Sequence, residues 1–144
     1  MKEMAFQTNG LMDLLNIKVI ESTETYVEMH MPITADLYQP ASILHGGATI
    51  ALLESAASYG AANNADFKVE RVFGVNVNIN HRKSGHAGVL RGIAKLSRKE
   101  GSKLYWDVVA LDDEGDIVSE GSVLTLTVSL ERLAEREQAT RGDR

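Results

Sequence analysis

Between positions 39 and 54 lie two glycines and three polar side chains whose types and spacing could act on a carbonyl group. The stretch reads Gln39-Pro40, then His45-Gly46-Gly47, then Glu54. Two glycines that open a helix leave backbone N–H groups unshielded and without intrahelical partners, and the helix dipole adds partial positive charge there. An oxygen that turns negative during a reaction would be stabilised at that point. A Gly-Gly pair would equally serve a tight turn or close packing, so at this level both readings stand. Glu54 is the sole charged side chain in the apolar run from Gly46 to Ala62. Burying an unpaired carboxylate costs several kcal/mol. Glu54 therefore lies either in a polar cleft, as a base or nucleophile, or on a narrow solvent-facing stripe shared with Ser55 and Ser58, the latter one turn on.

A second group of candidates is basic. His81 and His86 flank Arg82-Lys83-Ser84-Gly85, and Gly101-Ser102-Lys103 forms another turn. Net charge is −5, which argues against bulk affinity for nucleic acid. The distribution is more informative. Between Arg71 and Trp106 stand eight basic residues against one acid, Glu100, and the rest of the chain carries seven against nineteen. That segregation suits an anionic ligand, although any single lysine there reads equally as an ordinary solvent-facing turn residue. Cysteine count is 0, so disulfides, thiolate nucleophiles and cysteine-based metal sites are all ruled out. Four scattered histidines form no ligand cluster, and no metal is expected. His30 reads as a surface or cross-strand residue, and Tyr105 and Trp106 as strand packing.

Elements able to hold these groups follow from periodicity. A chain of 144 residues, 44% hydrophobic and 24% charged, fits one ordered domain with a single core. Gly10–Leu15 reads as a turn of helix, and 17–20 and 25–31 as two strands joined at Ser22-Thr23-Glu24. Residues 32–44 form a loop directly before the helix of 46–62, which is apolar around nearly its whole circumference and so buried on most sides. Four period-two segments follow, at 72–80, 89–96, 104–111 and 117–128, with turn residues at Glu100-Gly101-Ser102 and Asp112-Asp113-Glu114-Gly115. They are expected to be sequential antiparallel neighbours. Residues 129–144 read as a charged tail or short exposed helix, which leaves 1–128 as the domain. The most apolar run, Ala48–Leu53, is far too short to span a bilayer, and Met1–Phe6 has no leader pattern, so a soluble, cytoplasmic protein is the expectation.

Strands in runs, with no helix between them, point to an α+β class. One long apolar helix and about six strands are jointly satisfied when an antiparallel sheet curls around the helix, the hotdog architecture. Over 10–128 the sequence resembles the hotdog-fold acyl-CoA thioesterases of the aryl-CoA branch, which includes 4-hydroxybenzoyl-CoA and 1,4-dihydroxy-2-naphthoyl-CoA hydrolases and the phenylacetic-acid-degradation-type enzymes. Gln39-Pro40, His45-Gly46-Gly47 and Glu54 stand at that family's spacing. The resemblance implies that Glu54 is the nucleophile or general base, that the Gly46 N–H polarises the thioester carbonyl, and that Gln39 and His45 help place it. Ser58 would help hold the attacking water or the carboxylate. His81, Arg82, Lys83, Ser84, Gly101, Ser102 and Lys103 would surround the nucleotide end of coenzyme A, which is part of the substrate, so no separate cofactor is implied. The implied assembly is a homo-oligomer, a dimer of hotdog subunits paired into a tetramer. Other readings of the same pattern are a non-catalytic acyl-CoA-binding module and a hotdog hydratase or dehydratase. Serine-esterase chemistry is not supported, since the chain lacks Gly-x-Ser-x-Gly.

Overall fold

Residues 8–142 are described by a computed structural model; the leader reading over 1–6 and the last residues of the tail lie outside them. In chain order come α1 (Leu11–Leu14), β1 (Lys18–Ser22), β2 (Tyr26–Pro32), a 3-10 turn (Ala35–Leu37), α2 (Gly46–Asn63), β3 (Glu70–His81), β4 (Val89–Glu100), β5 (Lys103–Leu111), β6 (Ile117–Ser129) and α3 (Leu130–Gly142). The six strands form one antiparallel sheet in the order β1-β2-β4-β5-β6-β3, and α2 packs against all of them. This is an α+β hotdog fold. Glu100-Gly101-Ser102 and Asp112–Gly115 are hairpin turns as expected, and Asp112 Oδ1 accepts from the Glu114 and Asp116 N–H groups to close the second.

The expectation that β3 and β4 are neighbours is corrected. β4 pairs with β2, and β3 lies at the far edge beside β6. Residues 82–88 between them exceed the length of a tight hairpin turn, so the chain can cross the sheet. Packing decides where it lands. The inward residues Val27, Met29 and Met31 stand opposite Ala94, Gly92 and Leu90, and this register buries both rows on α2. Across the sheet, Gly60 lets the helix approach β5 so closely that a Cβ there would come within 2.4 Å of the Trp106 ring. Trp106 is fully buried and donates from Nε1 to Thr125 Oγ1 at 3.1 Å, a core role.

Two features leave unfinished surface. β3 is a 12-residue strand with one edge unpaired, and Val69, Phe73 and Val75 beside that edge are exposed. α3 is a helix with no buried residue.

On the outer face of the sheet, Glu28 accepts from Arg91 Nη2 at 3.1 Å, from the Tyr26 hydroxyl at 3.0 Å, and lies 2.7 Å from His30 Nε2. His30 is thus held along its own strand, by a residue two positions away, and its contact is not the cross-strand one that was expected. The Arg91 guanidinium above all, with His30 and Tyr26, holds the Glu28 carboxyl at about 2 against an ordinary 4.5, despite the opposing effect of burial. A carboxylate with a depressed folded-state pKa stabilises the fold above its unfolded pKa, and that stability fades as pH falls from about 4.5 towards 2. Glu28→Gln should cost about 1–3 kcal/mol at neutral pH. In urea melts, the gap between wild type and variant should narrow steadily across that acid window.

Candidate active site

The loop of 33–45 is not free. Leu44 N–H donates to Gly85 O at 2.9 Å, His45 N–H to Leu37 O at 2.8 Å, and the Tyr38 hydroxyl to His86 O. A reverse turn is closed by Ser42 N–H on Gln39 O, with Ser42 in the left-handed region at φ 63°. These bonds hold Gln39 half-buried, with its Oε1 accepting from Ala41 N–H. Gln39 lines a cavity of about 190 Å³ together with Gly46, Thr49, His81 and Ser84.

His45 is the N-cap of α2, its Nδ1 accepting from Gly47 N–H at 2.8 Å. Accepting at Nδ1 leaves the proton of a neutral ring on Nε2. Ala48 N–H is taken by His45 O, whereas no acceptor among the described residues takes the Gly46 N–H. One donor of the helix N-terminus therefore faces the cavity unspent. Neither glycine has positive φ, and the reason for both is close approach. A Cβ on Gly47 would stand 2.9 Å from His45 Nδ1, and one on Gly46 would stand 2.8 Å from His81 Nε2.

Glu54 and Ser58 lie on one stripe of α2 with Ala51, Ser55 and Ala62, all half-buried, while Leu52, Leu53, Ala56 and Ala57 are fully buried. The carboxylate rests on β3. A Cβ at Gly74 would come within 2.6 Å of Glu54 Oε1, and the strand bulges between Gly74 and Asn76. Among the described residues no hydrogen bond or ion pair engages that carboxylate. At about 1.5 Å of rise per residue, Glu54 lies roughly 12 Å along the helix from Gly46.

The basic candidates are dispersed. His81 lies across Gly46 with Nδ1 2.7 Å from Ser119 Oγ. Arg82 pairs with Glu120 at 2.7 Å. Lys83 is held by Asp112 at 2.6 Å and Asp116 at 3.0 Å, with Glu114 at 3.7 Å. Those carboxylates, Asp112 first, push the Lys83 pKa up, and Lys83 in turn lowers that of Asp112. Gly101, Ser102 and Lys103 lie at the opposite end of the sheet. His81 pairs with Ser119 and Lys103 with Leu126 on the same strand, β6, a separation of about 23 Å at strand rise.

The family model described as the thioesterase superfamily matches residues 41–119, more than half of the chain, from Ala41, just after Gln39-Pro40, to Ser119. The chain belongs to the thioesterase superfamily. A 1,4-dihydroxy-2-naphthoyl-CoA hydrolase of Listeria monocytogenes is 31% identical over 104 residues, covering 72% of this chain and 84% of that one. A Staphylococcus aureus protein, crystallised as a glutamate-to-alanine variant, superposes with TM-score 0.82 and 28% identity, covering 84% of this chain and 100% of its own. A Pseudomonas aeruginosa thioesterase, crystallised as a glutamine-to-alanine variant, gives TM-score 0.80 at 25% identity, with 85% and 88% covered.

Within this thioesterase-superfamily chain, three residues of the site carry no mark in the motif. Ser119 is fully buried on β6 and touches His81 across 38 positions of sequence, which no local pattern announces. Thr49 lines the cavity from the first turn of α2. Gly74 did carry a signal, because a glycine inside a strand marks a bulge or a close approach. Among the described residues, no helix is long and apolar enough to cross a membrane.

Proposed function

We propose that this chain is an acyl-CoA thioesterase that hydrolyses an aryl or medium-chain acyl-CoA to the free acid and coenzyme A. One observation carries the reading: an unspent Gly46 N–H at the start of α2 opens into a cavity shared with Gln39, while an unpaired carboxylate, Glu54, sits on the same helix. Thioester hydrolysis develops negative charge on the carbonyl oxygen, and a preorganised donor lowers that barrier by about 2.7–4 kcal/mol. Glu54 either attacks the carbonyl carbon or takes a proton from the attacking water. Gln39 and His45 help place the carbonyl, and Ser58, four residues on from Glu54, helps hold the water or the carboxylate. Supporting the reading are the family membership and the likeness to the Listeria hydrolase. A screen of aryl, short, medium and long acyl-CoA esters tests it, with free thiol as the readout. Only hydrolysis releases coenzyme A, so a hydratase or a binding module would leave the thiol signal flat.

The functional unit is a homodimer. Gly46 and Glu54, roughly 12 Å apart, cannot reach one carbonyl within a subunit. A second copy added to the open edge of β3 would cover Val69, Phe73 and Val75 and bring the two helices side by side. If the β3 strands pair antiparallel, the 82–84 turn of one chain and the 101–103 turn of the other fall at the same end of the joined sheet. Dimers then pair into a tetramer.

The nucleotide phosphates of coenzyme A land on this basic end, with Arg82, Lys83, Ser84, Gly101, Ser102 and Lys103 nearby. Exposed charges are screened over about 8 Å at physiological salt, so capture depends on several acting together. Lys103 is unpaired among the described residues, whereas Lys83 is spoken for by carboxylates. Lys103→Ala should therefore raise KM for acyl-CoA several-fold with kcat unchanged, and Lys83→Ala should raise it less. A substrate truncated to its pantetheine arm should respond to neither change nor to added salt. Equal losses on full and truncated substrates would rule the phosphate surface out.

A further inference from the structure

We propose that His81 is a catalytic residue, the second donor to the thioester oxygen, and that Ser119 positions it; this rests on the thioesterase reading above. The Gly46 N–H is a single donor, and the next one along, Gly47 N–H, is consumed by His45 Nδ1. His81 stands where the missing donor is needed. Its ring lies face-on over Gly46, with Nε2, Cε1 and Cδ2 at 2.8, 3.1 and 3.3 Å from the point a Cβ would fill. Adding ordinary backbone dimensions, Nε2 lies no more than about 5.3 Å from the Gly46 nitrogen. Two donors that share one oxygen at about 2.9 Å each stand at most about 5.8 Å apart, so one oxygen can accept from both.

Ser119 is fully buried, and His81 Nδ1, 2.7 Å away, is the hydrogen-bond partner of its hydroxyl among the described residues. A buried hydroxyl gives its proton to an available acceptor. The proposed role requires Nδ1 to accept from this hydroxyl, which puts the ring proton on Nε2, where no acceptor among the described residues takes it. Gly46 is needed for the same reason, because any side chain there would push the imidazole away from the carbonyl. The ring and Gly46 line one cavity with Gln39. In the reaction the Nε2–H and the Gly46 N–H both donate to the oxygen as it turns negative, and no proton is transferred from His81.

His81→Leu, His81→Gln and Ser119→Ala test the proposal on two substrates, an acyl-CoA and the same acyl group on pantetheine. His81→Leu should lower kcat about 10²–10³-fold on both, with KM within about twofold, as expected for a donor that acts on the transition state. His81→Gln, which returns an N–H near the Nε2 place, should recover at least about tenfold of that loss, and Ser119→Ala should fall between wild type and His81→Leu. In wild-type protein, long-range 1H–15N spectra should report the Nε2–H tautomer for His81, and Ser119→Ala should disturb it. An Nδ1–H tautomer, unchanged kcat in His81→Leu, or a KM loss confined to the full acyl-CoA, which would make the ring a phosphate ligand, would each overturn the role. Failure of the wild type to hydrolyse any thioester would overturn the thioesterase reading and this role with it. Failure in the variants alone overturns only this one.

Discussion

Replacing Glu54 by glutamine is expected to lower kcat by at least about a hundredfold while leaving the fold intact, since a positioned base or nucleophile contributes on the order of 10²–10⁴. The amide is nearly isosteric, and it would sit in the same half-buried niche against Gly74. Because no hydrogen bond or ion pair engages the carboxylate among the described residues, its loss removes no interaction on which the core depends. The melting temperature should therefore stay within a few degrees of wild type, a change in stability below about 1 kcal/mol. Wild-type turnover in a well-folded Glu54→Gln protein would remove Glu54 from the mechanism. The position of Gly74 extends the argument, since a side chain there would crowd Oε1, so the strand has kept its space for the acid.

The second large effect is recovery of activity from two inactive chains. Glu54→Ala removes the acid, and Gly46→Pro removes the N–H at the first helical position, where the helix itself accepts proline, while the new Cβ displaces the exposed His81 ring. Each homodimer should be inactive. After co-refolding in equal amounts, half of the dimers are mixed, and each mixed dimer has one site with an intact Gly46 from one chain and an intact Glu54 from the other. Total activity should reach about a quarter of wild type, the share that random exchange across a two-fold axis allows. Mass spectrometry of the intact complex would confirm exchange. No recovery in proven mixed dimers would place both groups of each site in one chain, against the roughly 12 Å that separates them.

Legibility in the sequence followed range. His45-Gly46-Gly47 and Glu54 lie within one loop and one helix, where spacing converts directly into position, and the helix was readable to within a residue of its end. For Glu54 the spacing showed the stripe shared with Ser55 and Ser58, all half-buried, but not that the carboxylate rests against Gly74 of β3, a contact made across the fold. The basic turns were readable as turns and as charge, but their partners were not. Lys83 finds Asp112 and Asp116, some thirty residues away, because β5 and β6 close their hairpin beside the loop after β3.

By itself the sequence determined the class of the fold, the helix that opens on two glycines and the lone acid eight residues beyond them, because each is set by local periodicity, turn chemistry and the cost of burying charge. Only the tertiary structure decided that β3 lies beside β6, that β4 lies beside β2, and that His81 rests on Gly46 with Ser119 behind it. Those choices depend on which inward rows bury each other best across the sheet. A residue pair such as His81 and Ser119 meets only when that long-range register is set, and no spacing along the chain encodes it.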